Sequence, residues 1–263
     1  MKKLLTSVLF SVFFVATALK ADIIETKHFH EIYNYIDQDT LVILDIDDTL
    51  VVPNQMVGCD EWFIGRIKEY KASGKTAEQA LDTTLFEWEG LRSLTQMQLV
   101  EENIDHIILD LQSQNIPVMC LTTQRFALAP RTVYQLNHHH IEISKTAPCS
   151  KDFFYDMNGL GILYYKGILF TNGTHKGKTF FEFCKQANFT PKKVVFVNDK
   201  ASHLKEIEQS CIELGIPFIG LRYGYSDYRK AAFDYEIAKI QSQLLNLDGI
   251  LSDEKAGILK SQN

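Results

Sequence analysis

Leu41-Val42-Ile43-Leu44-Asp45-Ile46-Asp47-Asp48-Thr49-Leu50 is the stretch from which the rest of the chain can be read. Four consecutive apolar residues mark a strand buried on both faces, as in a parallel sheet covered by helices. The strand then runs into carboxylates at Asp45 and Asp47. Residues i and i+2 of an extended segment project to the same side, so both acids face one space. That space lies at the carboxyl end of the strand, where open α/β sheets bind their ligands. Two like charges placed together need a cation or a proton to offset them. A solvated acidic turn, the plainer reading, does not require that spacing.

Three further segments end in the same way. Ile116–Thr122 is apolar and delivers hydroxyls at Thr122 and Thr123. His175-Lys176-Gly177-Lys178 stands between a strand and a helix, and a lysine there is a compact positive charge suited to a phosphoryl group. Val194–Val197 is a third apolar run and ends in Asn198-Asp199. An acid pair, a hydroxyl, a lysine and an acid thus follow in order, each at a strand end or helix start. Ile162–Thr171 and Pro217–Leu221 complete five strand candidates. Helical periodicity fills the intervals, most clearly at Thr95–Ser113, Lys178–Ala187, Ser202–Leu214 and Tyr228–Leu247. The alternation predicts an α/β fold, a Rossmann-like parallel sheet flanked by helices. Residues 59–91 carry their own helical pattern (Trp62, Phe63, Ile67, Leu81, Leu85, Trp88) and read as a small helical cap inserted after the first strand. Asp152–Tyr165 adds a hairpin-like excursion. The α/β domain is expected over residues 22–250, with 251–263 a frayed tail.

The four motifs resemble those of the haloacid dehalogenase superfamily, whose members are mostly magnesium-dependent phosphatases, and within it an exported bacterial branch. The resemblance runs from about Leu41 to Leu221. It implies Asp45 as nucleophile and Asp47 as general acid/base, with Thr122 on the phosphoryl oxygens and Lys176 steadying nucleophile and phosphate. It implies Mg2+ held by the side chains of Asp45 and Asp199 and the backbone carbonyl of Asp47. Thr123 and Lys178 are the neighbouring alternatives to Thr122 and Lys176. Gly177 favours Lys176, since a glycine there suits a helix start near a phosphate. The fourth motif departs from the pattern. Asn198 stands where many relatives carry Asp or Gly, and His203 stands four residues after Asp199 in place of a further acid. Adjacent residues at a strand end point to opposite sides, so one of Asn198 and Asp199 faces Asp45 directly, and the resemblance nominates Asp199. The implied activity is a phosphomonoesterase acting on a phosphorylated small molecule through an aspartyl-phosphate. A phosphotransferase would use the same residues. The alternative class is an exported binding or surface protein without catalysis, for which an acid/base at Asp47 would have no use.

The wider composition agrees. The 263 residues are 46% hydrophobic and 23% charged, far from the composition of a disordered chain. A formal charge of −6 argues against nucleic acid or an anionic membrane surface as partner. Lys2 and Lys3, the apolar run Leu4–Val15 and Ala16-Thr17-Ala18 form a signal-peptide pattern, with cleavage expected after Ala18 or Ala21. Removing residues 1–21 takes away Lys2, Lys3 and Lys20 and no acid, leaving 24 basic against 33 acidic residues. A periplasmic or secreted location follows, with no stable membrane span after cleavage. The cysteines Cys59, Cys120, Cys149, Cys184 and Cys211 form no CxxC pair, and Cys120 reads as core packing. His138-His139-His140 reads as a solvated helix end, and Trp62, Phe63 and Trp88 as packing within the cap. Arg125 is either a phosphate contact or a surface residue. Asn172-Gly173-Thr174 and Asn188-Phe189-Thr190 match the glycosylation pattern at chance level.

Overall fold

The long apolar runs of the sequence are the strands of the protein in a computed structural model that describes residues 21–244 and 250–262. In chain order the strands are β1 (Ala21–Thr26), β2 (Thr40–Leu44), β3 (Val51–Pro53), β4 (Met97–Leu99), β5 (Val118–Thr122), β6 (Phe153–Met157), β7 (Leu160–Tyr165), β8 (Ile168–Phe170), β9 (Lys193–Asn198) and β10 (Phe218–Tyr223). The α-helices are α1 (Asp60–Ala72), α2 (Ala77–Leu94), α3 (Ile104–Ser113), α4 (Ala129–His138), α5 (Lys176–Gln186), α6 (Ala201–Leu214), α7 (Asp227–Ala231), α8 (Tyr235–Gln243) and α9 (Asp253–Ser261). Eight strands form one sheet in the order β1-β10-β9-β2-β5-β8-β7-β6. It is parallel from β1 to β8 and antiparallel across β7 and β6. This is the α/β architecture expected from the sequence. The expected signal peptide lies, apart from Ala21, outside the described residues.

Strand alternation divides the core in two. Val42 and Leu44 join Val118, Cys120, Val195, Val197 and Leu221 on one face of the sheet, which α3 and α4 cover. Leu41 and Ile43 join Met119, Leu121, Val194, Phe196 and Phe218 on the other, which α5 and α6 cover. Both faces of the central strands are buried, so their sequences read as continuous apolar runs.

The expected boundaries fail at four places, each with a local cause. Ile162–Thr171 is two antiparallel strands, because Lys166 (φ +51°) and Gly167 (φ +82°) make a two-residue turn between Tyr165 and Ile168. A Cβ on Gly167 would come within 2.7 Å of Ile143, so the turn is also tightly covered. Thr95–Ser113 begins not as helix but with β4, drawn into a ladder with β3. Tyr228–Leu247 breaks near Asp234, whose carboxylate accepts from the amides of Glu236 and Ile237 at 2.9 and 3.2 Å and starts α8 afresh. The segment expected as a frayed tail contains α9. Ser252 caps it, Ala256 is fully buried, and Asp253 accepts hydrogen bonds from Gln241 (2.6 Å) and the Met56 amide (3.2 Å). Strand β1 carries little apolar character and was not among the strand candidates.

Helices α1 and α2 form the pair inserted between β3 and β4, so the two-stranded β3–β4 ladder is the root of the cap. Trp62, Trp88, Leu91 and Val57 make a small core there with Leu128 and Ala238. The Trp88 indole donates to the carbonyl of Gly58 at 2.8 Å. Packing is therefore the role of both tryptophans.

Candidate active site

The site sits at the carboxyl ends of β2, β5 and β9, and strand parity decides which side chains meet. Leu41, Ile43 and Asp45 alternate toward the α5–α6 face, as do Val194, Phe196 and Asn198. Register pairs Ile43 with Phe196 and Leu44 with Val197, which sets Asp45 beside Asn198. The Asn198 amide donates to Asp45 Oδ2 at 2.8 Å. The side chain directly against Asp45 is thus Asn198, not the expected Asp199. Alternation along Val194–Asn198 already pointed that way.

Lys176, the first residue of α5, reaches into the same space. It is fully buried, and its Nζ lies 3.0 Å from Asp45 Oδ2 and 3.0 Å from the carbonyl of Leu121. Burial raises the Asp45 carboxyl more than any single neighbour lowers it, but the Lys176 ammonium and His203 together outweigh burial and hold the group well below the usual carboxylate range. His203 stands 3.8 Å from the same oxygen. The other oxygen, Oδ1, accepts among the described residues only from the amide of Ile46, at 2.9 Å. Gly177 sits at a helix start, as expected, and has a packing reason as well. A Cβ there would lie 2.1 Å from the carbonyl of Glu206, so the glycine lets α5 and α6 touch and seats Lys176 at that depth. Lys178 and Thr123 are exposed, whereas Lys176 and Thr122 are buried.

Asp47 faces the cap. Its Oδ1 lies 2.8 Å from Nη2 of Arg92, and its Oδ2 accepts from the Gln124 amide at 2.8 Å. Gln124 is oriented by the Thr132 hydroxyl, which donates to its carbonyl oxygen at 2.7 Å, and its own backbone amide donates to Thr122 Oγ1 at 3.2 Å. Arg92 comes from the last turn of α2 and is almost fully buried, over the Trp88 ring. Sequence reading missed both Arg92 and Gln124. The signal for Arg92 was present: Ala80, Thr84, Trp88 and Leu91 define the buried face of α2, and Arg92 lies on it.

The third part of the site is acidic. Asp199 Oδ2 accepts from Lys230 at 2.6 Å, while its Oδ1 is buried with no hydrogen-bond partner among the described residues. Burial and the charge of Asp45 raise its carboxyl against the pull of Lys230. Asp48 is buried in the left-handed region (φ +60°), and burial with the charges of Asp60 and Asp199 pushes its carboxyl up to about 8. Asp60, at the start of α1, pairs with Lys200. A cleft of about 190 Å³ opens beside these groups, lined by Asp48, Cys59, Glu61, Tyr228 and Lys230 among others. An orphaned carboxylate oxygen, a free lone-pair set on Asp45 Oδ1 and an excess of buried acid are hard oxygen donors. They fit a divalent cation such as Mg2+. Arg125, by contrast, reaches the cap acids Asp82 and Glu89 at 3.7 and 3.8 Å.

A family model described as "Protein of unknown function (DUF2608)" matches residues 25–257, a span that takes in β2, the cap and every residue of the site. The chain belongs to that family. A relative in Chlamydia trachomatis serovar D, named "Putative outer membrane protein", is 27% identical over 240 residues, covering 90% of this chain and 89% of its own. Solved structures similar to the chain include a HAD-superfamily hydrolase from Ehrlichia chaffeensis (TM-score 0.43, 12% identity, 74% of this chain and 97% of that one). Another is a haloacid dehalogenase-like family hydrolase from Streptococcus pneumoniae (TM-score 0.41, 14% identity, 73% and 98%).

Proposed function

We propose that the protein is an exported, magnesium-dependent phosphomonoesterase that works through an aspartyl-phosphate on Asp45. The observation that carries this reading is the buried Asp45 carboxylate, paired with Lys176 and hydrogen-bonded by Asn198 at the carboxyl end of β2. An ionised carboxylate held in place by Lys176 and Asn198 is an aimed nucleophile. Asp45 attacks phosphorus, a new O–P bond forms, and the bond to the leaving alkoxide breaks. Asp47 supplies the alkoxide with a proton. It later removes one from the water that cleaves the acyl-phosphate and returns Asp45 to its carboxylate. Asp47 Oδ2 accepts from Gln124, while Oδ1 is ion-paired with Arg92 but accepts no hydrogen bond among the described residues, so Oδ1 is the oxygen proposed to carry the proton. Thr122 and the Lys176 ammonium are proposed to supply the phosphoryl oxygens with a donor and positive charge. Asp45, Asp199 and the Asp47 carbonyl would hold Mg2+, which lets a dianionic phosphate approach a carboxylate.

Export is part of the same proposal. It is supported by the Lys2–Ala18 pattern and by the name of the Chlamydia relative. Among the described residues no helix is long and apolar enough to cross a membrane. The substrate is proposed to be a phosphorylated small molecule, admitted beside a cap of only two helices.

A panel of phosphate esters assayed with Mg2+ and with EDTA tests the reading. Wild type should release phosphate only with the metal, and folded Asp45→Asn should lose about 10⁴–10⁶-fold in rate. Undiminished turnover by Asp45→Asn would overturn the assignment.

A further inference from the structure

At the far corner of the sheet, β1 ends at Thr26 beside the end of β10 at Tyr223. There His28, His30 and Glu101 bring one ligand atom each to within 4.8 Å of one another. His28 Nδ1 is 2.8 Å from Glu101 Oε1, and the two imidazole rings stack with centroids 5.5 Å apart. The second carboxylate oxygen is fixed from elsewhere. Glu101 Oε2 accepts from the Tyr223 hydroxyl at 2.6 Å and from the Phe29 amide at 2.8 Å. The backbone that carries the histidines is fixed as well, because Glu31 Oε1 accepts from the amides of Lys27 and His28 at 2.8 and 2.9 Å.

We propose that His28, His30 and Glu101 form a second metal site, selective for a borderline divalent ion such as Zn2+. Two imidazoles and one carboxylate are a donor set that suits zinc, cobalt, nickel or copper and does not suit Mg2+. A zinc–nitrogen bond is about 2.0–2.1 Å, so ligand atoms already this close need only side-chain rotation to converge on one ion. The contacts to Glu101 Oε2 match the way outer partners orient a ligating carboxylate and leave its second oxygen for the metal. Both histidines are exposed, so solvent completes the coordination and the ion enters without opening the fold. The site lies beyond β9 and β10 from Asp45, and none of its three ligands belongs to the proposed catalytic set. A bound ion would tie the segment after β1 to the turn before α3, joining two parts of the chain more than seventy residues apart.

Tag-free protein stripped with EDTA and titrated with Co2+, then with Zn2+ to displace it, tests this. One equivalent of Co2+ should give the intense visible bands of a low-coordinate cobalt site, and Zn2+ should abolish them while millimolar Mg2+ leaves them unchanged. His28→Ala and His30→Ala should each weaken binding at least ~10-fold, and Tyr223→Phe, which removes one of the two donors to Glu101 Oε2, about 10–100-fold. Activity of His28→Ala and His30→Ala with Mg2+ present should equal that of wild type. Three results would each overturn the proposal. They are no cobalt signal from folded wild type, full binding by the His28→Ala/His30→Ala double variant, and loss of the signal on changing His138 and His140 instead.

Discussion

The two halves of the site at the end of β2 are built on opposite principles. Around Asp45 every charge has its counterpart: Lys176 and Asn198 hold one oxygen, and the Leu121 carbonyl takes up the lysine's remaining reach. Around Asp199 and Asp48 the acids outnumber their partners, one carboxylate oxygen is orphaned, and both carboxyls are driven upward. The first half is self-sufficient in the folded chain. The second is stable only with added protons or an added cation, which is the behaviour expected of the side that takes the metal. A buried charge is tolerated when it is paired and otherwise shifts its proton equilibrium.

Breaking the balanced half should cost the most. Lys176→Met leaves Asp45 as a buried anion facing the amides of Ile46 and Asn198 and a partly exposed histidine, with no full positive charge beside it. A loss of about 3–5 kcal/mol in urea unfolding is expected. A variant as stable as wild type would mean that the lysine is not what keeps Asp45 charged. Arg92→Ala should be milder in stability, since Asp47 is a quarter exposed and water can replace the guanidinium. Its effect should fall on turnover instead, about 100-fold in kcat through a misplaced acid/base. Steady-state kinetics on any accepted ester would read this, and an effect confined to KM would contradict it.

The pH dependence is the most discriminating, because the two halves respond to pH with opposite sign. Asp48 binds a proton more tightly folded than unfolded. Its contribution to stability is therefore full below the ordinary Asp range and is lost as pH rises from about 4 to about 8. Asp45 binds its proton more weakly folded than unfolded. Its contribution is present above the ordinary range and is lost as pH falls through the lower, folded value. Metal-free protein in EDTA should thus lose melting temperature on going from pH 5 to pH 8. Asp48→Asn, whose amide tolerates the left-handed backbone, should flatten that slope. A slope unchanged in Asp48→Asn would remove Asp48 from the acidic half.

The sequence carried the fold because the buried strands are uninterrupted apolar runs, and each motif residue sits where such a run stops. It carried Asp45 and Lys176 for the same reason. It failed where contacts are non-local. Arg92 reaches Asp47 across the cap, and Lys230 reaches Asp199 from α7, and no short spacing encodes either meeting. Asn198 is the instructive case. The resemblance placed Asp199 against Asp45, while simple alternation along Val194–Asn198 favours Asn198, and the structure follows alternation. Strand β1 went unseen because it is an edge strand with polar Asp22 and Glu25, and its pairing with β10 is set two hundred residues away.

Calorimetric titration of Mg2+ into EDTA-treated protein at pH 7.5, wild type beside Asp199→Asn, tests most directly the claim that the acidic half is completed by a cation. Wild type should bind Mg2+, and Asp199→Asn should lose that binding while keeping the wild-type fold by circular dichroism. Equal Mg2+ binding by the two proteins, or none by folded wild type, would contradict it.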